Sequence, residues 1–364
     1  MFGGLCDYFV TVGSRVASSP RSGYRGPIVR SLLAGLAAAF TLCILAAPAG
    51  AASYLPPGKK VYWGGQGGYS QNFIRDFKKQ SGKHPAIYNY FISWNASDSA
   101  MHWLSFRLSD SRAQDSAAML SIAPESTGLS PRDLARGRGD AFMVGLNRLL
   151  AEHGEVVFLR PLSEMNNANN PYAPYNHSGG SRGPKNAIGQ LKNAWRRIAL
   201  ITRGGEVATI DAKLKRLHMP PVKTGAKELV KTQVALMWVP LSFGNPEIAK
   251  NHPRNFWPGA KYVDWVGTTW YSPYRNSSAM TSFYNYPLWR KKPFAFAEWG
   301  VWGAESPGFV NQFFGFLKSH KRVRMAVYYQ SASLKTEFRL SAHPASRAAL
   351  RRAVKWPRLT GVAP

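Results

Sequence analysis

Two glutamates carry the chemistry that the chain suggests first. Glu164 follows the apolar run Val156-Val-Phe-Leu159 in Arg160-Pro-Leu-Ser-Glu164-Met-Asn166, and Glu298 closes a similar run in Phe294-Ala-Phe-Ala-Glu298-Trp-Gly300. Each run has the length and apolar character of a buried strand. In a barrel of parallel strands, the C-terminal strand ends are where catalytic side chains gather. Two carboxyl groups facing one another across a pocket can cleave a glycosidic bond. A separation of roughly 5–5.5 Å would give retention, and roughly 6.5–9.5 Å would leave room for a water and give inversion. Taken alone, either glutamate could instead be half of a buried ion pair, for instance Glu164 with Arg160.

The elements that must position this pair read as alternating strands and helices. Strands are expected at Lys60–Trp63, Ala86–Trp94, Ala117–Ile122, Val156–Arg160, Gln233–Val239, Val263–Gly267, Pro293–Ala297 and Arg324–Tyr329. Helices are expected around Ser70–Gln80, Asp98–Leu108, from Ser130-Pro131 to just before Gly154, around Ala187–Thr202, and at Ala342–Val354. Ser130 is an N-cap followed by proline at the first helical position. Eight strands alternating with helices over about 300 residues imply an α/β fold, a (β/α)8 TIM barrel in a single domain over residues 53–364. The stretch Asn166 to Lys185 would then lie on the catalytic face, rich in Asn, Tyr, Gly and Pro as a ligand-shaping loop should be. Gly204 to Lys231, with Lys213, Lys215, Arg216, Lys223, Lys227 and Lys231, would lie on the opposite face and reads as a surface or wall-adhesion feature.

Composition narrows the class. Of 364 residues, 45% are hydrophobic, enough for a packed core. Aromatics make up 13%, with 12 Trp and 16 Tyr, which either fill that core or stack on sugar rings. Residues 1–52 have the form of an export signal or a membrane anchor. Arg15, Arg21, Arg25 and Arg30 precede the apolar stretch Ser31–Leu45, and Ala49-Gly-Ala51 offers a cleavage site. Secretion is therefore expected, or anchoring at the outer face of the membrane if the segment is retained. Both cysteines, Cys6 and Cys43, fall within it, so disulfides and thiolate metal sites are not expected in the remainder. Net charge is +28, and +25 without the leader, which holds four basic residues and one acid. Such a balance suits anionic cell-wall or exopolysaccharide polymers, or simply a solvated basic surface. No nucleic-acid motif accompanies it.

Other chemistries find little support. The eight histidines form no H-E-x-x-H or comparable cluster, so neither metal nor cofactor is expected. His84, His102 and His153 read as ordinary surface residues. Gly64-Gly-Gln-Gly-Gly68 lacks the residues of a phosphate loop and reads as a tight turn lining the pocket.

Three ordered segments then resemble glycoside hydrolase family 26, which includes β-mannanases and lichenases. Arg160-Pro-Leu-Ser-Glu-Met-Asn166 resembles its acid/base motif, R-P-x-H-E-M-N. Phe296-Ala-Glu-Trp-Gly300 is similar to its nucleophile segment. Trp257-Pro-Gly-Ala-Lys-Tyr-Val-Asp-Trp-Val-Gly267 is similar to the segment leading to a tyrosine that supports the nucleophile, here Tyr271. The resemblance spans about Val61 to Val354. It implies a retaining mechanism with Glu164 as acid/base and Glu298 as nucleophile. It also implies that Arg160 orients a carboxylate and that Asn166 hydrogen-bonds near the cleaved sugar. The histidine that normally precedes the acid/base is Ser163, the tryptophan-rich segment after it is Asn-Ala-Asn-Asn-Pro-Tyr, and the aspartate before the supporting tyrosine is Thr269. These departures leave the sugar open. Candidate stacking platforms are Trp63, Trp94, Trp270, Tyr271 and Trp302, with Trp238 and Trp299 favoured by their place near catalytic strand ends. The expectation is a secreted β-glycanase, mannanase-like. The alternatives are a non-catalytic glycan- or wall-binding barrel and a hydrolase of anionic exopolysaccharide.

Overall fold

The computed structural model describes residues 54–67, 73–330 and 336–364. The leader, both cysteines and Gly68 lie outside these. Eight parallel strands close into a barrel: β1 (Val61–Gln66), β2 (Ile87–Ser93), β3 (Ala117–Ala123), β4 (Val157–Pro161), β5 (Val234–Trp238), β6 (Trp265–Tyr271), β7 (Phe294–Gly300) and β8 (Val323–Tyr329). Pairing of β8 with β1, Tyr62 opposite Met325 through Gln66 opposite Tyr329, completes the ring. A two-residue strand, Leu359–Thr360, pairs with the start of β1. The helices are α1 (Phe73–Ser81), α2 (Asp98–Ala113), α3 (Pro131–Ala135), α4 (Asp140–His153), α5 (Ile188–Arg203), α6 (Val207–Arg216), α7 (Ser277–Asn285), α8 (Pro307–Ser319) and α9 (Pro344–Ala353). The chain is thus the (β/α)8 barrel that the strand and helix pattern implies.

Two buried clusters result from the alternation of side chains along the strands. One fills the barrel, where large residues such as Tyr62, Met119, Phe158, Met237, Trp265 and Met325 interdigitate with Ala117, Ala235 and Ala295. The other lies between barrel and helices and holds Trp63, Trp238, Trp270, Trp299 and the phenylalanines of α8. Gly65 faces α1: a Cβ there would stand 2.4 Å from the ring of Phe77, so glycine lets the helix close on the strand. The first part of the glycine run is therefore strand, and packing explains it better than a pocket-lining turn.

Three local expectations are corrected. The helix expected from Ser130 to Gly154 is two helices, broken where Gly137 adopts φ +80. Ser130 still caps α3 in a reciprocal capping box with Asp133, whose carboxyl the Ser130 hydroxyl holds down to about 2. The basic segment 204–231 is more than a connection: it carries α6 and a two-stranded pairing of Gly205–Glu206 with Glu228–Leu229. His153 is buried at the end of α4, its Nδ1 3.3 Å from Arg112 Nη2.

Candidate active site

The C-terminal strand ends surround a cleft of about 480 Å³ that both glutamates line. Glu164 sits in the turn after β4 rather than on the strand. That turn places two non-glycine residues, Leu162 and Glu164, in the left-handed region at φ +47 and +50. Such conformations cost of order 1–3 kcal/mol each and cluster at functional sites. Backbone bonds hold them: Leu162 N–H donates to Ile122 O at 2.9 Å and Glu164 N–H to Val239 O at 2.7 Å.

A β-bulge presents Glu298. Along β7, Phe294 and Phe296 face the helices, while Ala295 and Ala297 face the barrel. The pairing then slips by one residue on both sides: Thr268 faces Phe296 but Thr269 faces Glu298, and Ala326 faces Phe296 but Tyr328 faces Trp299. The extra residue at Ala297–Glu298 brings Glu298 to the cleft and turns Trp299 outward. Bulges beside active sites re-aim side chains in this way.

The two carboxyl groups have different surroundings. Glu298 is buried and forms an ion pair with Arg160, which is itself fully buried on β4. Its other oxygen accepts a 2.6 Å hydrogen bond from the Tyr271 hydroxyl. Arg160 therefore belongs to Glu298, not to Glu164 as the simple ion-pair reading had it. Burial opposes the guanidinium charge, but Glu298 and Glu164 outweigh it and hold its pKa above the ordinary value. Burial, then Glu298, then Glu164 push the Tyr271 phenol well above its usual range, so it remains a donor. Glu164 accepts from Asn167 Nδ2 at 2.9 Å. Burial raises its pKa first and the charge of Glu298 adds to that. Arg160, Asn167 and a hydrogen bond from Thr269 pull the other way, and the net direction is up.

Asn167 is oriented by its own partner. Asn245 Nδ2 donates to Asn167 Oδ1 at 3.0 Å, which leaves the amide N–H to face Glu164. Asn166, expected at the sugar, is fully buried and does other work. Its amide donates to Leu241 O and Phe243 O, both at 3.1 Å, and accepts from Leu241 N–H at 2.8 Å. It ties the loop after β4 to the loop after β5.

The favoured stacking platforms are also corrected. Trp238 and Trp299 are both 0% exposed. Trp238 points outward from β5 into Trp257, Trp289 and Phe283. Trp299 stacks on Phe313 of α8 with ring centroids 3.6 Å apart. Trp63, Trp94 and Trp270 are likewise buried in the outer cluster. Among the candidate aromatics only Tyr271 and Trp302 line the cleft, and they are joined there by Phe91, Tyr172, Tyr329 and Phe338. Trp302, Tyr329 and Phe338 surround Tyr271 with centroid distances of 5.8–6.0 Å. Phe91 and Tyr329 stand at strand positions facing the cleft, a signal that the parity of β2 and β8 carried and that the tryptophan count obscured. Ser163 lines the cleft, and its carbonyl accepts from Tyr172 at 2.5 Å and Asn170 at 3.2 Å. No cluster of three metal-ligating side chains occurs among the described residues.

Comparison with known proteins bears on this geometry. No family model matches the chain, and no curated protein matches its sequence. Solved structures do match. GH26A from Muricauda sp. aligns at 16% identity and a TM-score of 0.53, over 83% of this chain and 91% of that one. A GH26 β-mannanase from Bacteroides ovatus aligns at 16% and 0.55, over 84% and 91%. The fold is theirs. An endo-β-1,4-mannanase from Cellulomonas fimi gives 14% and 0.57, over 84% and 74%. At such identities the likeness establishes the barrel, and the reaction must be argued from the cleft.

Proposed function

We propose that the chain is a retaining glycoside hydrolase of the family 26 type acting on a β-linked polysaccharide. The observation that carries this reading is the unequal pair of carboxyl groups in one open cleft. Glu298, ion-paired with Arg160 and hydrogen-bonded by Tyr271, is the nucleophile that attacks the anomeric carbon. Glu164, whose pKa is raised by burial and by Glu298, keeps its proton to deliver to the departing glycosidic oxygen. It then takes a proton from the water that releases the glycosyl-enzyme. The solved neighbours include proteins described as mannanases, so β-mannan is the first substrate to offer. Within the cleft, Glu125, Glu164 and Glu298 face one guanidinium, Arg160, which is already committed. That balance favours a neutral glycan over an acidic one. The leader, read as an export signal, fits a polymer too large to enter a cell.

The test is Glu298→Ala assayed on β-mannan and on aryl β-glycosides, with and without azide. Loss of hydrolysis, with azide restoring turnover to a glycosyl azide of inverted configuration, is the expected result. Near-normal hydrolysis by this variant would refute the mechanism. Binding of glycan without turnover by the unaltered protein would favour the non-catalytic reading.

A further inference from the structure

The basic segment that the proposed chemistry leaves unused forms the wall of a second groove. It has a volume of about 1030 Å³ and lies at the end of the barrel opposite the cleft, where Thr232 and Val234 open β5. α6 explains its shape. Ile210 and Leu214 are the buried stripe of that helix, and Lys213 and Arg216, three residues apart, flank it on one exposed side. Lys231 approaches from the start of β5 and Lys261 from the turn before β6. All four of these cations are exposed, and among the described residues none lies in a salt bridge.

The groove's other charges are already engaged. Arg203 donates to both oxygens of the buried Asp264 at 3.0 Å. Glu206 is the groove's single carboxylate, and it accepts from the Thr209 hydroxyl at 2.9 Å. Four exposed cations outside any salt bridge, one of them (Lys261) over the Tyr262 ring, outnumber the single carboxylate of Glu206 and leave the groove a net positive potential. Between them lie neutral groups, Thr209, Thr232, Tyr54 and the backbone of Gly204–Gly205, which suit sugar hydroxyls and one ring face.

We propose that this groove binds a segment of acidic polysaccharide, its carboxylates seated on Lys213, Arg216, Lys231 and Lys261. The site is independent of the reaction proposed for the cleft and of its substrate. Its place at the opposite end of the barrel lets the chain remain attached to an anionic matrix while the cleft stays open. It also explains why charge is concentrated where barrels of this kind do no chemistry.

Affinity electrophoresis and calorimetry with polygalacturonate, using the full chain, test the proposal. The triple variant Lys213→Gln/Arg216→Gln/Lys231→Gln keeps polar side chains with part of each aliphatic stem and removes the charges. It should bind about tenfold more weakly or worse, and wild-type affinity should itself fall by about tenfold or more between 50 and 200 mM salt. A control triple on α1 and α9, Lys78→Gln/Lys79→Gln/Arg352→Gln, removes the same charge and should leave binding within about twofold. Should the first triple melt at a lower temperature, the pair Lys213→Gln/Lys231→Gln carries the comparison. Equal losses in both triples would overturn the site, as would salt-insensitive binding. Tighter binding of duplex DNA or anionic vesicles through the same three residues would overturn the choice of ligand.

Discussion

Tyr271→Phe isolates one bond of the proposed mechanism. The Tyr271 hydroxyl donates to Glu298 at 2.6 Å, and the ring is held edge-on by Trp302, Tyr329 and Phe338. Removing one oxygen leaves those contacts and makes no cavity of consequence. A hydrogen bond to a charged group contributes about 1.5–3 kcal/mol. If the bond orients the nucleophile in the transition state, kcat/KM should fall by roughly 10- to 150-fold, at about 1.4 kcal/mol per decade. An aryl β-glycoside with a good leaving group is the right substrate, because its first step does not depend on proton delivery from Glu164. Circular dichroism and thermal melting would verify the fold. Burial and both carboxylates push the Tyr271 phenol well above its usual range, so it does not titrate where Glu164 does. On β-mannan, whose leaving sugar needs the proton of Glu164, loss of that proton sets the alkaline limb of kcat/KM, and this limb should survive the substitution. A loss of less than about twofold would refute the role given to this hydroxyl, and disappearance of the alkaline limb would refute the assignment of that limb to Glu164.

The same geometry makes four further predictions. Asn167→Ala removes a donor that lowers the pKa of Glu164, so the alkaline limb should move to higher pH, read from kcat/KM against pH. Glu164→Gln addresses stability: an acid whose folded-state pKa lies above its unfolded value costs stability as pH rises from the usual 4.5 through the raised value. The variant should gain stability over wild type across that window, and the two should converge below it in chemical denaturation at stepped pH. Trp299→Ala should destabilise the fold by about 3–5 kcal/mol through loss of the Phe313 stack, whereas Trp302→Ala should chiefly raise KM for polymer, as urea melts and steady-state kinetics would show.

Much of this architecture was legible. All eight strands lie within a few residues of the expected spans, because β-type apolar runs separated by helical patterns leave few alternatives. Arg160, Glu164, Tyr271 and Glu298 meet in one cleft because each closes a strand or begins the loop after it. What failed was orientation. Val234-Ala-Leu-Met-Trp238 is apolar throughout, as strands buried on both faces are, so nothing in its pattern told which side Trp238 takes. Asn166 and Asn167 are neighbours in a loop, and only the tertiary partners of each, Leu241 and Phe243 for one and Asn245 for the other, assign the brace and the donor to Glu164. Phe91, Tyr329 and Phe338 come from three separate segments and form a wall only once the barrel closes.

β7 shows where sequence held a clue that simple alternation could not use. Phe294-Ala-Phe-Ala runs large and small in turn, with large residues toward the helices. Continued without interruption, that rhythm would point Glu298 at the phenylalanines of α8 and Trp299 into the barrel mouth. A carboxylate buried among aromatic rings without a partner is prohibitive, and Arg160 would lose its counter-ion within the same barrel. One extra residue resolves both conflicts: Glu298 reaches Arg160 and Tyr271, and Trp299 reaches Phe313. The bulge thus joins the proposed site to packing, since the slip that aims Glu298 into the cleft also seats the largest side chain of the strand in the outer core. A glutamate out of phase with its strand is accordingly a sign of a bulge, and the tryptophan beside it belongs to the core rather than to the sugar.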